Sequence, residues 1–211
     1  MRVLWLSGVI VLVDQVSKML VKGVSIPWLG IHVAGVPYGF SRPLLGNFLR
    51  LTYIENPGMA FGIDVGGKLF FSIFSIVASV AIVIYLYHAR KDAVGFRLSL
   101  AMILGGAVGN LIDRVFYGLV FNDAQLFYGR VVDFLDLDFF NVNILGHQFN
   151  RWPVFNVADA AVTVGVIMLI VFHRRTVSGP EMPSSVSGDA GVAAGGTSPS
   201  TSEVPSSGDP E

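Results

Sequence analysis

LSLAMILGGAVGNLIDRVF, residues 98–116, is the stretch whose reading decides the fold. From Leu98 to Gly109 it carries no charge. At about 1.5 Å per residue, a helix of this length crosses the roughly 30 Å hydrocarbon core of a bilayer. Gly105, Gly106 and Gly109 strip side chains from it, so a neighbouring helix can bring its backbone close. Asn110, Asp113 and Arg114 follow toward one end, with Asn110 and Asp113 on one face at an i,i+3 spacing. A charged group at mid-membrane costs about 2.5–3.5 kcal/mol on insertion scales, so each one requires a partner or a purpose.

Three further apolar runs flank this one, and together they predict an α-helical integral membrane protein with four transmembrane helices, at about 3–21, 69–87, 98–116 and 157–172. Composition agrees. Of 211 residues, 53% are hydrophobic and 14% charged, and mean hydropathy is +0.64, too apolar for an ordinary soluble domain. Arg2 ahead of the first run resembles the start of a signal peptide, but Asp14 and Lys18 interrupt the run and no small-residue cleavage site follows. It reads as a retained helix.

Basic residues fall at Arg2, at Arg90, Lys91 and Arg97 between the second and third runs, and at Arg174 and Arg175 after the fourth. By the positive-inside rule these points are cytoplasmic, which puts both termini inside and the long connections 23–68 and 117–156 on the outer face. His32 and Val33, residues 48–54 and residues 131–135 have strand-like β-branched and aromatic content and predict a small extracytoplasmic sheet. Trp28, Tyr53, Phe139, Phe140 and Trp152 are placed either to anchor that region at the interface or to pack within it. In residues 177–211, serine, glycine and proline supply 20 of 35 positions, with no Lys or Arg. The tail 176–211 is therefore expected to be disordered and distinct from a 1–175 membrane domain.

The polar residues inside the runs narrow the chemistry. Asp14 and Lys18 are four apart on one helix face and suit an ion pair that locks structure. Asn156 and Asp159 repeat the Asn-x-x-Asp spacing of Asn110 and Asp113. Helix capping accounts for Asn156 but not for Asp159, one turn inside its helix. Asp133, within the apolar stretch Val131-Val132-Asp133-Phe134-Leu135, adds a further carboxylate on the same side.

The absence of cysteine excludes thiol nucleophiles and Cys-based metal sites, and His32, His88, His147 and His173 have no ligand spacing, so no metal or cofactor is expected. Ser17 and Lys18 point to different helix faces and make no Ser–Lys dyad. A net charge of -1 gives no basic field for nucleic acid. Two carboxylates close together in a low-dielectric site cannot both ionise comfortably: one holds a proton while the other activates water. That is aspartic-peptidase chemistry, and asparagine side chains can orient the peptide. From charge alone the pair could be any two of Asp113, Asp133 and Asp159. The same acids would also suit a proton relay in a small membrane transporter, or a scaffold of capped helices.

The motifs Asp14-Gln15-x-x-Lys18, Glu55-Asn56-Pro57-Gly58-Met59-Ala60-Phe61-Gly62, Gly105-Gly106-Ala107-x-Gly109-Asn110-x-x-Asp113-Arg114, Val131-Val132-Asp133-Phe134 and Phe155-Asn156-x-Ala158-Asp159 are ordered along residues 8–172. In that order they resemble the bacterial lipoprotein signal peptidases, the signal peptidase II family. The resemblance implies a multi-pass aspartic endopeptidase of the bacterial cytoplasmic membrane, cutting diacylglyceryl-modified prolipoproteins just before the lipidated cysteine. It implies a site near the outer face, a monomer among membrane lipids, no cofactor, and sensitivity to globomycin. It places the catalytic pair at Asp133 and Asp159, substrate contacts at Asn56, Asn110, Arg114 and Asn156, and supporting roles at Asp14 and Asp113 beside Lys18. Residues 121–130 depart from the resemblance as an insertion ahead of Val131.

Overall fold

The computed structural model describes residues 2–46, 48–60, 63–64, 67–138, 142–144, 147–149 and 151–177. The expected tail from residue 178 onward, and Phe139 and Phe140, lie outside the described residues. The chain opens with helix α1 (Leu4–Lys22), followed by a two-stranded ribbon of β1 (Val24–Ile26) and β2 (Ile31–Val33). Strands β3 (Ser41–Leu45) and β4 (Leu49–Asn56) form a hairpin, and β5 (Met59–Ala60) pairs with β6 (Ile63–Asp64). Helices α2 (Gly67–His88) and α3 (Val94–Ile112) follow, and α3 continues through a π-helical turn, Asp113–Tyr117, into the short α4 (Gly118–Val120). After β7 (Val131–Leu137) and the ribbon β8 (Val142–Ile144) with β9 (His147–Phe149), the chain enters α5 (Val157–Val177).

Small residues set the helix packing. An added Cβ at Gly106 would meet the Ala158 carbonyl and Val162 of α5, and one at Gly105 would meet Ile10 and Ser7 of α1. The glycine run therefore seats α5 against one flank of α3 and α1 against another, and α3 packs most extensively against α5, then α1, then α2. The core of this bundle is Val3, Leu86, Ala89, Phe96, Leu100, Ala101 and Leu104. Leu12, Val16 and Leu20 of α1 and Ile73, Phe74 and Val77 of α2 point outward and exposed, as suits helices surrounded by lipid. Leu4–Lys22, Leu69–Lys91 and Val94–Val120 are each long and apolar enough to cross a membrane, and the apolar part of α5, Val157–Phe172, is shorter.

The strands do more than the sequence suggests. β4 lies between β3 and β7, both antiparallel to it, with Ile54 opposite Asp133, Glu55 opposite Val132 and Asn56 opposite Val131. The short ribbons β5–β6 and β8–β9, and strand β3, were not foreseen from the sequence. Tyr53 anchors no interface: it is buried with Val21, Tyr117, Val132 and Phe134 in a second core, and its ring meets Tyr38 edge-on. Trp28 and Trp152 remain exposed.

Two helix boundaries also differ from expectation. α3 starts at Val94 and α5 runs to Val177, so Arg97, Arg174 and Arg175 lie inside helices rather than in flanking loops. The residues 121–130 fold back on the π-helical turn, where the amides of Phe127 and Gly129 donate to the Val115 and Arg114 carbonyls at 3.1 and 2.9 Å. The π turn thus finds partners in the loop for carbonyls that a regular helix would occupy internally.

Candidate active site

β7 is buried on both faces from Val131 to Phe134, so Asp133 is carried into the interior with only 2% of its surface exposed. The approach to α5 is stapled to the same strand. Phe134 and Leu135 donate from their amides to the Phe155 carbonyl at 3.0 and 2.7 Å, and the Phe155 amide donates to the Leu135 carbonyl at 3.0 Å. That pairing delivers Asn156 and Asp159 to Asp133.

Asn156 caps α5 in reciprocal fashion. Its Oδ1 accepts from the Asp159 amide at 2.9 Å, and Asp159 Oδ2 accepts from the Asn156 amide at 3.2 Å. This is the capping-box arrangement with aspartate as the returning acid. Capping therefore does account for one oxygen of Asp159, contrary to the sequence reading. It leaves Oδ1, which accepts from Asn110 Nδ2 at 2.7 Å. Asn156 Nδ2 in turn reaches Asp133 Oδ1 at 2.6 Å, Asn110 Oδ1 at 3.1 Å and the Val132 carbonyl at 3.3 Å. One fully buried asparagine thus touches both carboxylates. Burial, and then the negative charge of Asp159, push the Asp133 carboxyl up to about 7.

Beneath this pair lies a second polar layer with Lys18 at its centre. The ammonium, with no exposed surface, donates to Asp14 Oδ2 and Asp113 Oδ2, each at 2.7 Å, and to Asn110 Oδ1 at 2.9 Å. Each acid also holds a backbone element. Asp14 Oδ1 accepts from the Ala158 amide in the first turn of α5 at 2.9 Å, where the amino end of a helix favours an anion. Asp113 Oδ2 accepts from the Val132 amide, beside Asp133, at 3.3 Å. Of the three carboxylates that the sequence left open, Asp113 is thus turned toward Lys18 and the strand backbone, while Asp133 and Asp159 share Asn156.

Arg114 and Asn56 lie to one side of the pair. Arg114 is within electrostatic reach of Asp113, Asp133 and Asp159, and its guanidinium stands 5.8 Å over the Phe71 ring. Its Nη1 reaches the Asn110 carbonyl at 3.4 Å, while Nε has no hydrogen-bond partner among the described residues. Asn56 Oδ1 accepts from the Gly58 amide at 2.9 Å and forms a tight turn after β4. Gly58 has φ 108, and an added Cβ would press on Phe71 at 3.0 Å, so backbone angle and close approach both call for glycine there.

The sequence reading gave no role to two residues of this network. Gln15 Nε2 donates to Asp113 Oδ1 at 2.9 Å and to the Gly109 carbonyl at 3.1 Å, and its Oε1 accepts from the Tyr117 hydroxyl at 3.0 Å. A polar Asp14-Gln15 pair in an apolar helix was a signal for the first. Tyr117 gave none, because a tyrosine at a helix end reads as an interfacial residue. Among the described residues, no group of three or more His, Asp or Glu side chains is arranged to hold a metal ion.

Comparison with known proteins bears on this geometry. A family model described as signal peptidase (SPase) II matches residues 6–174. The lipoprotein signal peptidase of Chlorobium phaeobacteroides is 32% identical over 169 residues, covering 80% of this chain and 93% of the relative. That of Porphyromonas gingivalis is 33% identical, covering 80% and 81%, and that of Syntrophotalea carbinolica 37%, covering 82% and 90%. Two solved structures described as bacterial membrane enzymes superpose with TM-scores of 0.61 and 0.57 at 30% and 31% identity. The first covers 85% of this chain and 92% of its own, the second 81% and 90%. The match spans the whole polar network from Asp14 to Asp159, and with it the chain belongs to the signal peptidase II family.

Proposed function

We propose that this protein is a lipoprotein signal peptidase, a membrane endopeptidase that removes signal peptides from diacylglyceryl-modified prolipoproteins just before the lipidated cysteine, with Asp133 and Asp159 as its catalytic pair. The observation that carries the assignment of the pair is the Asn156 bridge: one buried amide binds Asp133 Oδ1, and the same residue makes the reciprocal cap with Asp159. Asp133, held near neutrality by burial and by its charged neighbour, keeps the proton that polarises the scissile carbonyl. Asp159 takes a proton from the attacking water, and Asp133 relays its own toward the carbonyl oxygen. As the tetrahedral intermediate collapses and the C–N bond breaks, Asp159 passes the proton it took from water to the leaving amine, and Asp133 recovers its own from the hydroxyl that becomes the new carbonyl.

The remaining residues bind and orient. Asn56 and Arg114 face the peptide from the β4 turn and from α3, and the uncommitted Nε of Arg114 supplies a donor for a carbonyl or lipid ester oxygen. Asn110 holds Asp159 and Asn156 holds Asp133 through their side-chain amides. Four helices cross the bilayer with both termini cytoplasmic, the pair lies near the outer face, the chain works as a monomer among lipids, residues 1–175 form the peptidase unit, and globomycin inhibits it. The proton-relay alternative is less well supported. The acids are joined here by amides and by an ammonium whose three donors are all engaged, groups that position a charge and do not pass a proton along.

The test is cleavage of a diacylglyceryl-modified prolipoprotein by purified protein in detergent. Asp133→Asn and Asp159→Asn, each shown to be folded, should lose at least roughly 10³-fold in kcat. Cleavage retained by both folded variants, or no cleavage by the wild type, removes the assignment.

A further inference from the structure

A second charged cluster sits one helical turn beyond Lys18, and the proposed chemistry does not use it. Lys22, the last residue of α1, binds Glu55 Oε1 through its ammonium and also reaches Asp123 Oδ2 at 3.1 Å. The same ammonium stands 4.5 Å over the Phe121 ring. Glu55 accepts from the Tyr53 hydroxyl at 2.6 Å, and its other oxygen lies 3.5 Å from Arg130 Nη1. Burial alone would push the Glu55 carboxyl up, yet the hydrogen bonds and charges of Lys22, Tyr53 and Arg130 hold it below the usual range.

Three members of this cluster, Phe121, Asp123 and Arg130, belong to the 121–130 segment by which the chain departs from the resemblance. The segment is an ordered part of the fold: Asp123 and Ala124 donate from their amides to the Gly118 carbonyl at 3.0 and 3.1 Å. Gly129 packs so closely on the Asp113 and Arg114 carbonyls that no side chain fits. Glu55 immediately precedes Asn56, whose turn rests on Phe71, and Phe71 lies beneath Arg114. A continuous line of contacts thus runs from the segment through Glu55 to the residues placed at the mouth of the site.

The two clusters are neighbours on α1 and across the β4–β7 pairing, where Glu55 lies opposite Val132. Their side chains also meet where the Tyr117 ring packs edge-on against Phe121 at 5.1 Å and where Tyr53 joins Tyr117 in the second core. Lys18, Asp14, Asp113, Asn110 and Asn156 hold the catalytic pair, while Lys22, Asp123 and Arg130 hold Glu55.

We infer that the 121–130 segment is a clamp for substrate binding: Asp123 and Arg130 are positioning residues that fix Glu55, and with it the Asn56 turn that receives the prolipoprotein. The substrate named here rests on the activity proposed above; the clamp itself does not. Asp123 and Arg130 are 42% and 52% exposed as side chains, so their replacement leaves the core intact.

The experiment compares wild type, Asp123→Asn and Asp123→Asn/Arg130→Gln in detergent by two readouts. In cleavage of a diacylglyceryl-modified prolipoprotein, KM should rise roughly three- to tenfold in the double variant with kcat within about twofold, and Asp123→Glu should restore KM. In hydrogen exchange, the Gly58 amide should exchange faster in the double variant while the Val132 and Ala158 amides keep the wild-type rate. Unchanged exchange at Gly58 overturns the clamp whatever the kinetics, and so does a fall in kcat at constant KM. If the wild type cleaves nothing, selective loosening at Gly58 upholds the clamp, and the proposed activity alone falls.

Discussion

Replacing Lys18 with methionine tests whether one buried cation holds the site together. The side chain has no exposed surface, and its three donors reach Asp14 and Asp113 at 2.7 Å each and Asn110 at 2.9 Å. Methionine has similar length and bulk, so the loss is electrostatic rather than a cavity. It strands two fully buried carboxylates near one another, and breaking a buried ion pair from one side costs about 3–5 kcal/mol. The natural control is Lys22→Met, one turn further along α1, where Asp123 is 42% exposed and part-buried Glu55 keeps Tyr53 and Arg130; about 1–2 kcal/mol is expected there. Unfolding in mixed micelles, followed by helical circular dichroism, gives both numbers. A second variant, Lys18→Met with Asp113→Asn, should recover part of the loss by removing one stranded charge. If Lys18→Met lies within about 1 kcal/mol of wild type, or costs no more than Lys22→Met, the Lys18 layer is not the keystone inferred from its geometry.

Three further outcomes follow from the same structure. Asp133 binds its proton more tightly folded, at about 7, than unfolded, at about 3.9. Its contribution to stability is therefore undiminished below about pH 4 and declines as pH rises to about 7, with a slope of up to about 1.4 kcal/mol per unit that Asp133→Asn abolishes in pH-dependent unfolding. If Asp133 supplies the proton, kcat/KM of the wild type also falls above about pH 7. Gly106→Ala drives a methyl group onto the Ala158 carbonyl and should destabilise by about 1–3 kcal/mol and impair cleavage, whereas Gly8→Ala meets nothing within 4 Å and should be neutral or stabilising by up to about 1 kcal/mol; thermal unfolding of the two reads the contrast. Replacing Lys18, Asp14 and Asp113 together by Met, Leu and Leu should leave the bundle folded in circular dichroism yet abolish cleavage, because apolar packing substitutes for a buried ion cluster in stability but not in aiming Asn110 and Val132.

Bilayer-scale apolar runs are legible because a lipid environment permits little else, and the helices begin and end within a few residues of where hydropathy puts them. Strands β4 and β7 were visible for the same kind of reason: Tyr53, Ile54, Val131 and Val132 are β-branched or aromatic residues in short runs. The ribbons β5–β6 and β8–β9 were not, since two- and three-residue strands carry too little pattern to show a period, although His32 and Val33 of β2 do read as strand. Asp14 with Lys18 follows from i,i+4 spacing, but that Asp113 would complete the same ammonium depends on how α1 docks on Gly105 and Gly109, a tertiary fact. The role of Tyr117 escaped for a similar reason. Its hydroxyl finds Gln15 only because the π turn rotates it inward, and nothing in Asp113-Arg114-Val115-Phe116-Tyr117 announces that turn.

The distribution of charge along α1 explains why a helix with no proposed catalytic group contributes so much to the site. Asp133 comes from a strand and Asp159 from a helix, and the segment between them folds away into other elements, so chain connectivity alone does not fix their separation. The Phe155 pairing with β7 supplies one constraint, and α1 adds another by gripping both carriers from below, Asp14 on the first turn of α5 and Asp113, recruited through Lys18, on β7. Electrostatic contacts of this kind are strongest where water is excluded, and a bilayer-embedded bundle excludes it without needing a large protein core. The cost is three desolvated charges, offset only when every partner is in place. The same logic one turn later, with Lys22, operates at the edge of the fold where Asp123 and Arg130 see solvent. The inner layer is therefore suited to holding side chains rigidly where water is excluded, and the outer one to positioning the Asn56 turn at the edge of the fold.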